Sequence, residues 1–276
     1  MTRYPRRWMI ASLIATISSM AWATAPADDG ETFSKLLKEK TPAIVTVKFT
    51  LKVNMGGMFG GGEQENESEV NGVMIDAKGL VLCSNTQLSG FIGMMRQFMG
   101  EMGGNITATP TDLKILVGDD TEGRDAEIVA RDTELDLAWV RMKEPGEQKY
   151  AYVDFSQSAV PKVGQQVYVL RRMGKFFARC AVAADGRIAG TTAKPRDLYV
   201  PAGNVGAAYG LPVFLADGKP VGVVVMQVPE SEGNAGNPMA MLGRMSGIQD
   251  MMSGLILPAA EVVKATQRAL ETRTDK

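Results

Sequence analysis

The chain contains no histidine among its 276 residues, and this absence excludes several classes of enzyme. Histidine is the usual general base of serine and cysteine hydrolases and the commonest side-chain switch near neutral pH. The chain therefore holds no Ser-His-Asp or Cys-His catalytic unit and no zinc site that uses imidazole. Its 2 cysteines are too few for an all-cysteine zinc site, which needs about four thiolates.

An excess of charge of either sign is also missing. The chain has 30 Lys and Arg against 31 Asp and Glu, which gives a formal net charge of −1. We expect no nucleic-acid partner, because such proteins carry a basic stripe. Methionine is abundant instead: the 18 Met outnumber the 9 Phe and 6 Tyr together.

The first 23 residues have the pattern of a secretory signal peptide. Arg3, Arg6 and Arg7 precede an apolar stretch over 8–23, which ends in the small-residue cleavage pattern Ala21-Trp22-Ala23. An uncleaved anchor is the alternative, although the stretch is shorter than the ~20 residues of a membrane span. We expect an exported protein, periplasmic or extracellular, with no stable membrane span after cleavage.

Export would place the two cysteines where disulfides can form. Cys83 and Cys180 each lie beside a strand-like run, and the sequence alone does not pair them. Two buried free thiols are the favoured interpretation, and a bridge is the alternative.

Short β-branched runs separated by turn residues predict an all-β fold, a barrel or a sandwich. The polar segment 144–150 divides the runs into two sets, which favours two β-barrels: residues 24–145 with an N-terminal helix, and residues 146–258. A helix over 32–39 capped by Thr32, and a C-terminal helix and tail over 259–276 entered through Pro258, complete the prediction. The runs are 43–51, 72–75, 80–83, 112–117, 126–130, 137–142, 166–170, 178–183, 187–191, 213–215, 221–228 and 254–257.

Three segments interrupt this strand pattern. Residues 55–69 join a Gly-Met stretch to an acidic tract and predict a flexible exposed loop. Segments 90–110 and 229–253 carry Met and Phe at helical spacing, which predicts Met-rich helical insertions with one apolar face each. The residues expected to contact partners there are Phe91, Met94, Met95, Phe98, Met99, Met102, Met241 and Met245.

Five motifs in order resemble the HtrA/Deg branch of the trypsin-like serine proteases. The run 70–86 is similar to the family's hairpin that ends in the catalytic His, and 133–138 is similar to its T-D-L-A segment. The other three are 163–167, 217–223 and 255–258. The resemblance implies two six-stranded barrels of the chymotrypsin fold and a C-terminal helix. The family's PDZ domain has no counterpart before the final residue, Lys276.

The resemblance also locates the catalytic positions, and two of the three are changed. The His position holds Thr86, the Asp position holds Asp136, and the Ser position holds Tyr209. The oxyanion loop falls on Ala207, Ala208, Tyr209 and Gly210. Threonine cannot accept a proton at neutral pH, and a phenol with a pKa near ~10 has no base beside it. We therefore expect no catalytic residue and no enzyme activity, although the fold invites a serine-endopeptidase label.

Several alternatives stay open at this stage. Asp136 is either a remnant of the triad that bonds Thr86 or a structural carboxylate satisfied by backbone N–H groups, the latter favoured. Tyr209 either fills the old cleft or presents its phenol to a bound peptide. Ser84 or Ser89 would need a lysine base for hydrolysis, and the nearest, Lys78, lies beyond a strand.

The sequence thus favours an exported pseudoprotease that binds peptide segments or envelope proteins through its former cleft and its Met-rich insertions. Residual or unorthodox serine-type peptidase activity is one alternative. Binding of Cu(I) by paired methionines, such as Met55 with Met58, is another, because thioethers prefer that ion. We expect no cofactor and no metal. A homo-oligomer is compatible with the resemblance.

Overall fold

Two closed β-barrels of six antiparallel strands each form the body of the protein in a computed structural model. The structure describes residues 29–55, 62–90, 107–227 and 254–274. The predicted signal peptide and the partner-contact residues of both Met-rich insertions lie outside these described residues. The same holds for Met58 and for the side chain of Met55, so the proposed thioether pair lies outside them as well. Within them, no helix is long and apolar enough to cross a membrane.

The first barrel has the strand order β1-β2-β3-β6-β5-β4. Its buried runs are strongly apolar: every residue of β3 is buried, and so is nearly all of β6. A single helical turn, α2, follows β3 at the point where the barrel faces its neighbour. The bounds are β1 Ile44–Met55, β2 Gly62–Met74, β3 Leu80–Ser84, α2 Asn85–Leu88, β4 Thr107–Leu116, β5 Arg124–Asp132 and β6 Leu137–Met142.

The second barrel has the strand order β10-β11-β12-β9-β8-β7. Every residue of β11 is buried. Two helices cover the molecule: α1 precedes the first barrel and α3 ends the described chain. The bounds are α1 Asp29–Lys40, β7 Gln166–Arg172, β8 Ala181–Thr192, β9 Leu198–Gly203, β10 Pro212–Phe214, β11 Pro220–Val225, β12 Leu255–Pro258 and α3 Ala259–Thr274. The predicted fold class is confirmed, with all strands antiparallel.

The two terminal helices tie the barrels together. In α1, the Phe33 ring meets Tyr168 of the second barrel edge-on at 5.5 Å, so this helix packs on the barrel farther along the chain. From the first barrel, Trp139 donates its indole N–H to the Thr266 hydroxyl of α3 at 3.0 Å. Thr32 is not a cap, because α1 begins at Asp29.

A polar contact between β2 and β7 joins the barrels directly. The Asn71 side chain accepts from the Arg172 N–H at 2.6 Å and donates to the Arg172 carbonyl at 3.1 Å. The buried Arg172 guanidinium donates to the carbonyls of Ile44 and Arg179. Burial lowers the pKa of Arg172. Beside it, Arg179 forms an ion pair with Glu69.

Four predictions of local structure are wrong for identifiable reasons. The loop expected over 55–69 is largely strand, because β2 begins at Gly62 and pairs residue by residue with β1. The two runs predicted around Gly186 form one strand, β8, and the Pro-containing strand β9 was not foreseen. Strand β4 begins at Thr107, inside the segment predicted to be a helical insertion. Cys180 is exposed rather than buried, while both thiols are free and Cys83 is buried.

Candidate functional site

The candidate site lies between the barrels, where α2 and the start of β6 face the turn after β9. The Asp136 carboxylate at its centre is 2% exposed. Asp136 itself adopts a left-handed backbone with φ of 56°. This turn aims the carboxylate back at the end of β3, where the Asn85 N–H bonds the Asp136 carbonyl at 3.1 Å.

One serine hydroxyl and two backbone N–H groups donate hydrogen bonds to the Asp136 carboxylate. The Ser84 hydroxyl donates to it at 2.9 and 3.1 Å from Oδ2 and Oδ1. The Thr86 N–H donates to Oδ1 at 2.7 Å, and the Met226 N–H donates to Oδ2 at 3.0 Å. Because Met226 follows β11, the second barrel supplies one donor to a carboxylate of the first.

The pKa of Asp136 is raised. Burial is the main cause, and it outweighs the N–H groups of Met226 and Thr86 and the hydroxyls of Thr86 and Ser84, which all favour the carboxylate. The buried Cys83 thiol next to this network has its pKa raised to about 12, by burial first and by the charge of Asp136 second. The Cys83 thiol is therefore not poised to act as a nucleophile near neutral pH.

Both alternatives for Asp136 describe part of the result. The carboxylate bonds Thr86, and it is also satisfied by two backbone N–H groups. Ser84 is not accessible for hydrolysis: it is fully buried, donates to Asp136 and accepts from the Gln87 N–H as the cap of α2. Lys78 is exposed in the turn before β3, roughly 15–20 Å from Ser84 along the strand.

Tyr209 stands at the position that the resemblance assigns to the nucleophile. It is partly buried and packs against the hydrophobic core. Burial, and then the negative charge of Asp136, raise the pKa of its phenol. Its ring edge lies 3.0 Å from where a Cβ on Gly254 would stand. The ring therefore packs closely against the backbone at Gly254.

The segment before Tyr209 is helical. Residues Asn204–Ala207 form a 3₁₀ helix, and the Ala208 N–H donates to the Val205 carbonyl at 3.1 Å. A 3₁₀ helix directs its N–H groups at carbonyls three residues earlier, whereas an oxyanion hole needs them aimed together into open space. Of the predicted loop positions, Ala208 is buried and Ala207 is exposed.

Two glycines close the space beside Tyr209. Gly206 and Gly254 are hydrogen-bonded at 3.1 Å, and a Cβ on Gly254 would lie 2.2 Å from the Gly206 carbonyl. Gly210, with φ of 77°, lets the second barrel meet the first: a Cβ there would stand 2.3 Å from the Ser84 N. The backbone on either side of Tyr209 is thus in direct contact with other segments: Gly206 with Gly254, and Gly210 with Ser84.

The sequence signals missed two members of this site. Met226 contributes only its backbone N–H, a donor that every residue except proline carries, so the sequence does not single it out. Ser84 was considered as a nucleophile rather than as a donor to Asp136, although a buried serine beside a helix start is a common cap. Among the described residues, no cluster of three or more His, Cys, Asp or Glu could hold a metal ion.

The two barrels agree with the family model that matches the sequence. The family model described as a trypsin-like peptidase domain matches residues 71–223, slightly more than half of the chain. No curated protein matches the sequence. Among solved structures, the MamO protease domain from Magnetospirillum magneticum in its apo form is similar, with 18% identity, 82% of this chain and 97% of that chain covered, and a TM-score of 0.48. The chain belongs to the trypsin-like peptidase domain family.

Proposed function

We propose that this chain is a trypsin-like protein that does not cleave peptide bonds and that binds peptide segments or protein partners in an exported compartment. One observation carries the proposal: Thr86, not a base, lies against the Asp136 carboxylate, and the carboxylate is consumed by hydrogen bonds. In the catalytic arrangement, this carboxylate instead orients an imidazole that takes the serine proton.

The nucleophile side of the site supports the same conclusion. Burial and the charge of Asp136 raise the pKa of Tyr209, so its phenol is protonated at neutral pH. In the 3₁₀ helix before it, the Ala208 N–H is bonded to the Val205 carbonyl. Removing proton transfer and oxyanion stabilisation together removes most of the rate enhancement of this chemistry.

Binding is the function that the remaining surface supports. Proteins of this fold take up substrate as an added strand, and that capability does not depend on the catalytic residues. Tyr209 and the Gly206–Gly254 contact narrow the old cleft. We therefore propose that partners meet its rim and the Met-rich insertions, including Phe98 and Met241. Flexible thioethers suit an adaptable surface. The signal-like N-terminus supports the periplasmic or extracellular location.

The test is a peptidase assay of the purified chain on a mixed peptide library, beside the variants Asp136→Asn and Tyr209→Phe. We expect no turnover above background from any of the three. Turnover by the native chain that either variant abolishes, while both variants keep the native circular dichroism spectrum, would contradict the proposal. Crosslinking in the source envelope then identifies the partner class.

A further inference from the structure

A hairpin formed by the outer ends of β1 and β2 extends beyond the first barrel. Strand β1 pairs with β2 up to Met55–Gly62 and with β4 up to Asn54–Thr107. Strand β3 pairs with β2 only from Gly72 onward. Among the described residues, no strand therefore pairs with the outer side of β2 before Gly72. We call the part over 62–68 the β2 edge.

The β2 edge presents a regular row of charge. Glu63, Glu65 and Glu67 alternate with Gln64 and Asn66, so the three carboxylates share one face of the strand, and residues 62–67 are exposed. On the β1 side, Lys52 pairs with Glu65 at 2.7 Å and Lys48 pairs with Glu67 at 2.9 Å. Lys175, between β7 and β8 of the second barrel, also acts on Glu67: the pKa of Glu67 is lowered first by the hydrogen bond and charge of Lys48 and last by the charge of Lys175.

An unpaired edge offers backbone N–H and C=O groups to an added strand. Farther along β2, the edge is already used within the chain, because Asn71 pairs with the backbone of Arg172 and Glu69 with Arg179. The open part spans roughly 23 Å, which is long enough for an added strand of about seven residues. The geometry thus allows strand addition over 62–68 only.

The three glutamates on one face of the β2 edge determine which kind of strand can pair with it. A second copy paired antiparallel about a twofold axis perpendicular to the sheet keeps all the glutamates on one face. Glu65 would then stand opposite Glu67 or another Glu65, and like charges directly opposite each other are destabilising. A segment with Lys or Arg at alternate positions places a cation opposite each glutamate and extends the existing Lys–Glu rows by one strand.

We propose that the β2 edge binds an extended basic segment of a partner protein by strand addition, with Lys or Arg at every second residue facing Glu63, Glu65 and Glu67. The repulsion between glutamates excludes self-pairing, so the same residues supply both the attraction and the selectivity. This surface is separate from the former cleft, and the proposal stands whether or not the cleft binds peptides.

The test uses the purified full chain and three ten-residue peptides: one alternating Lys and Thr, one alternating Glu and Thr, and a Lys-Thr peptide N-methylated at every second residue. N-methylation keeps the charge but blocks strand pairing along one edge. We expect the plain Lys-Thr peptide to bind at least about tenfold more tightly than either of the others. Amide exchange over 62–68 should slow when it binds.

Charge-reversed variants complete the test. Glu63→Lys with Glu65→Lys should weaken Lys-Thr binding about tenfold. Matched control variants Glu122→Lys and Glu271→Lys change net charge equally at exposed sites elsewhere and should leave affinity unchanged. Equal binding of the N-methylated peptide, equal loss in the control, or a dimer of the native chain that the edge variant dissociates would each overturn the proposal. The amide-exchange result needs no variant, so it decides the question even if the edge variant fails to fold.

Discussion

At the scale of the residue, the burial of Asp136 makes the free energy of unfolding depend on pH. Its pKa is raised in the folded chain, mainly by burial, so the folded state binds its proton more tightly than the unfolded state does. The sign follows: the contribution of Asp136 to the free energy of unfolding is highest below its unfolded pKa of about 3.9 and falls as pH rises through the folded pKa.

This predicts a pH-dependent difference between the native chain and Asp136→Asn. Asparagine has no titrating proton, so the stability advantage of the native chain should shrink between about pH 4 and pH 7. Urea unfolding of both proteins across that range measures it. Asp217→Asn, an exposed aspartate in the β10–β11 turn, is the control. A difference that widens with pH would show that hydrogen bonds outweigh burial at this carboxylate.

The two thiols should differ sharply in reactivity. Burial raises the pKa of Cys83 to about 12, so at pH 8 roughly one molecule in ten thousand carries the thiolate, and the side chain is inaccessible. Cys180 is exposed. In the reduced native chain, a thiol reagent should modify one cysteine quickly and the second only on unfolding. Cys180→Ser should remove the fast phase, and a fast phase that persists in it would contradict this assignment.

At the scale of the element, β8 depends on a glycine that the sequence suggests is a turn. A Cβ on Gly186 would lie 2.1 Å from the Ala202 carbonyl of β9 and 3.0 Å from Val205. Gly190, in the same strand, has nothing within 4 Å of that position. The glycine at 186 therefore permits close approach of two strands within a continuous ladder.

The pair gives a matched test of this role. Gly186→Ala should lower the free energy of unfolding by about 2–3 kcal/mol, because one strand must shift to relieve the overlap. Gly190→Ala should change it by less than about 0.5 kcal/mol or raise it slightly, since alanine restricts the unfolded chain. Denaturant unfolding of both variants decides the matter, and equal effects would refute the close-approach explanation.

At the scale of the whole molecule, buried polar contacts join the two barrels. Asn71 makes two hydrogen bonds with the Arg172 backbone, and the guanidinium of Arg172 reaches the Ile44 carbonyl at 2.7 Å. Asn71→Ala should therefore cost about 1–3 kcal/mol of unfolding free energy, because a part-buried N–H and C=O lose their partners.

The cooperativity of unfolding distinguishes a contact that couples the two barrels from one that stabilises only its own surroundings. If Asn71 couples the barrels, its alanine variant should also lower the denaturant m-value or separate the fluorescence transition of Trp139 from the circular dichroism transition. Asn66→Ala, on the exposed hairpin in the same strand, is the control and should do neither. A single transition with an unchanged m-value in the Asn71 variant would show that contacts other than Asn71 couple the barrels.

The sequence predicted much of this architecture because its signals are local. β-branched runs predicted the core of most strands, and the run 137–142 matches β6 to the residue. The C-terminal helix predicted over 259–276 is observed over Ala259–Thr274. The acidic tract misled the prediction, because its stability as strand comes from pairing with β1, a partner that the tract itself does not encode.

The sequence by itself determined that no imidazole chemistry is available and that two sets of strands form the fold. Composition and periodicity are properties of the chain, so they need no coordinates. Only the tertiary structure decided that Asp136 is hydrogen-bonded to Ser84, Thr86 and Met226, that Tyr209 packs against the core, and that no strand of the described part of the chain pairs with the outer side of the β2 edge. Each of these depends on which backbone groups from distant segments meet, and a Met226 N–H or an unpaired strand edge has no signature in residue type.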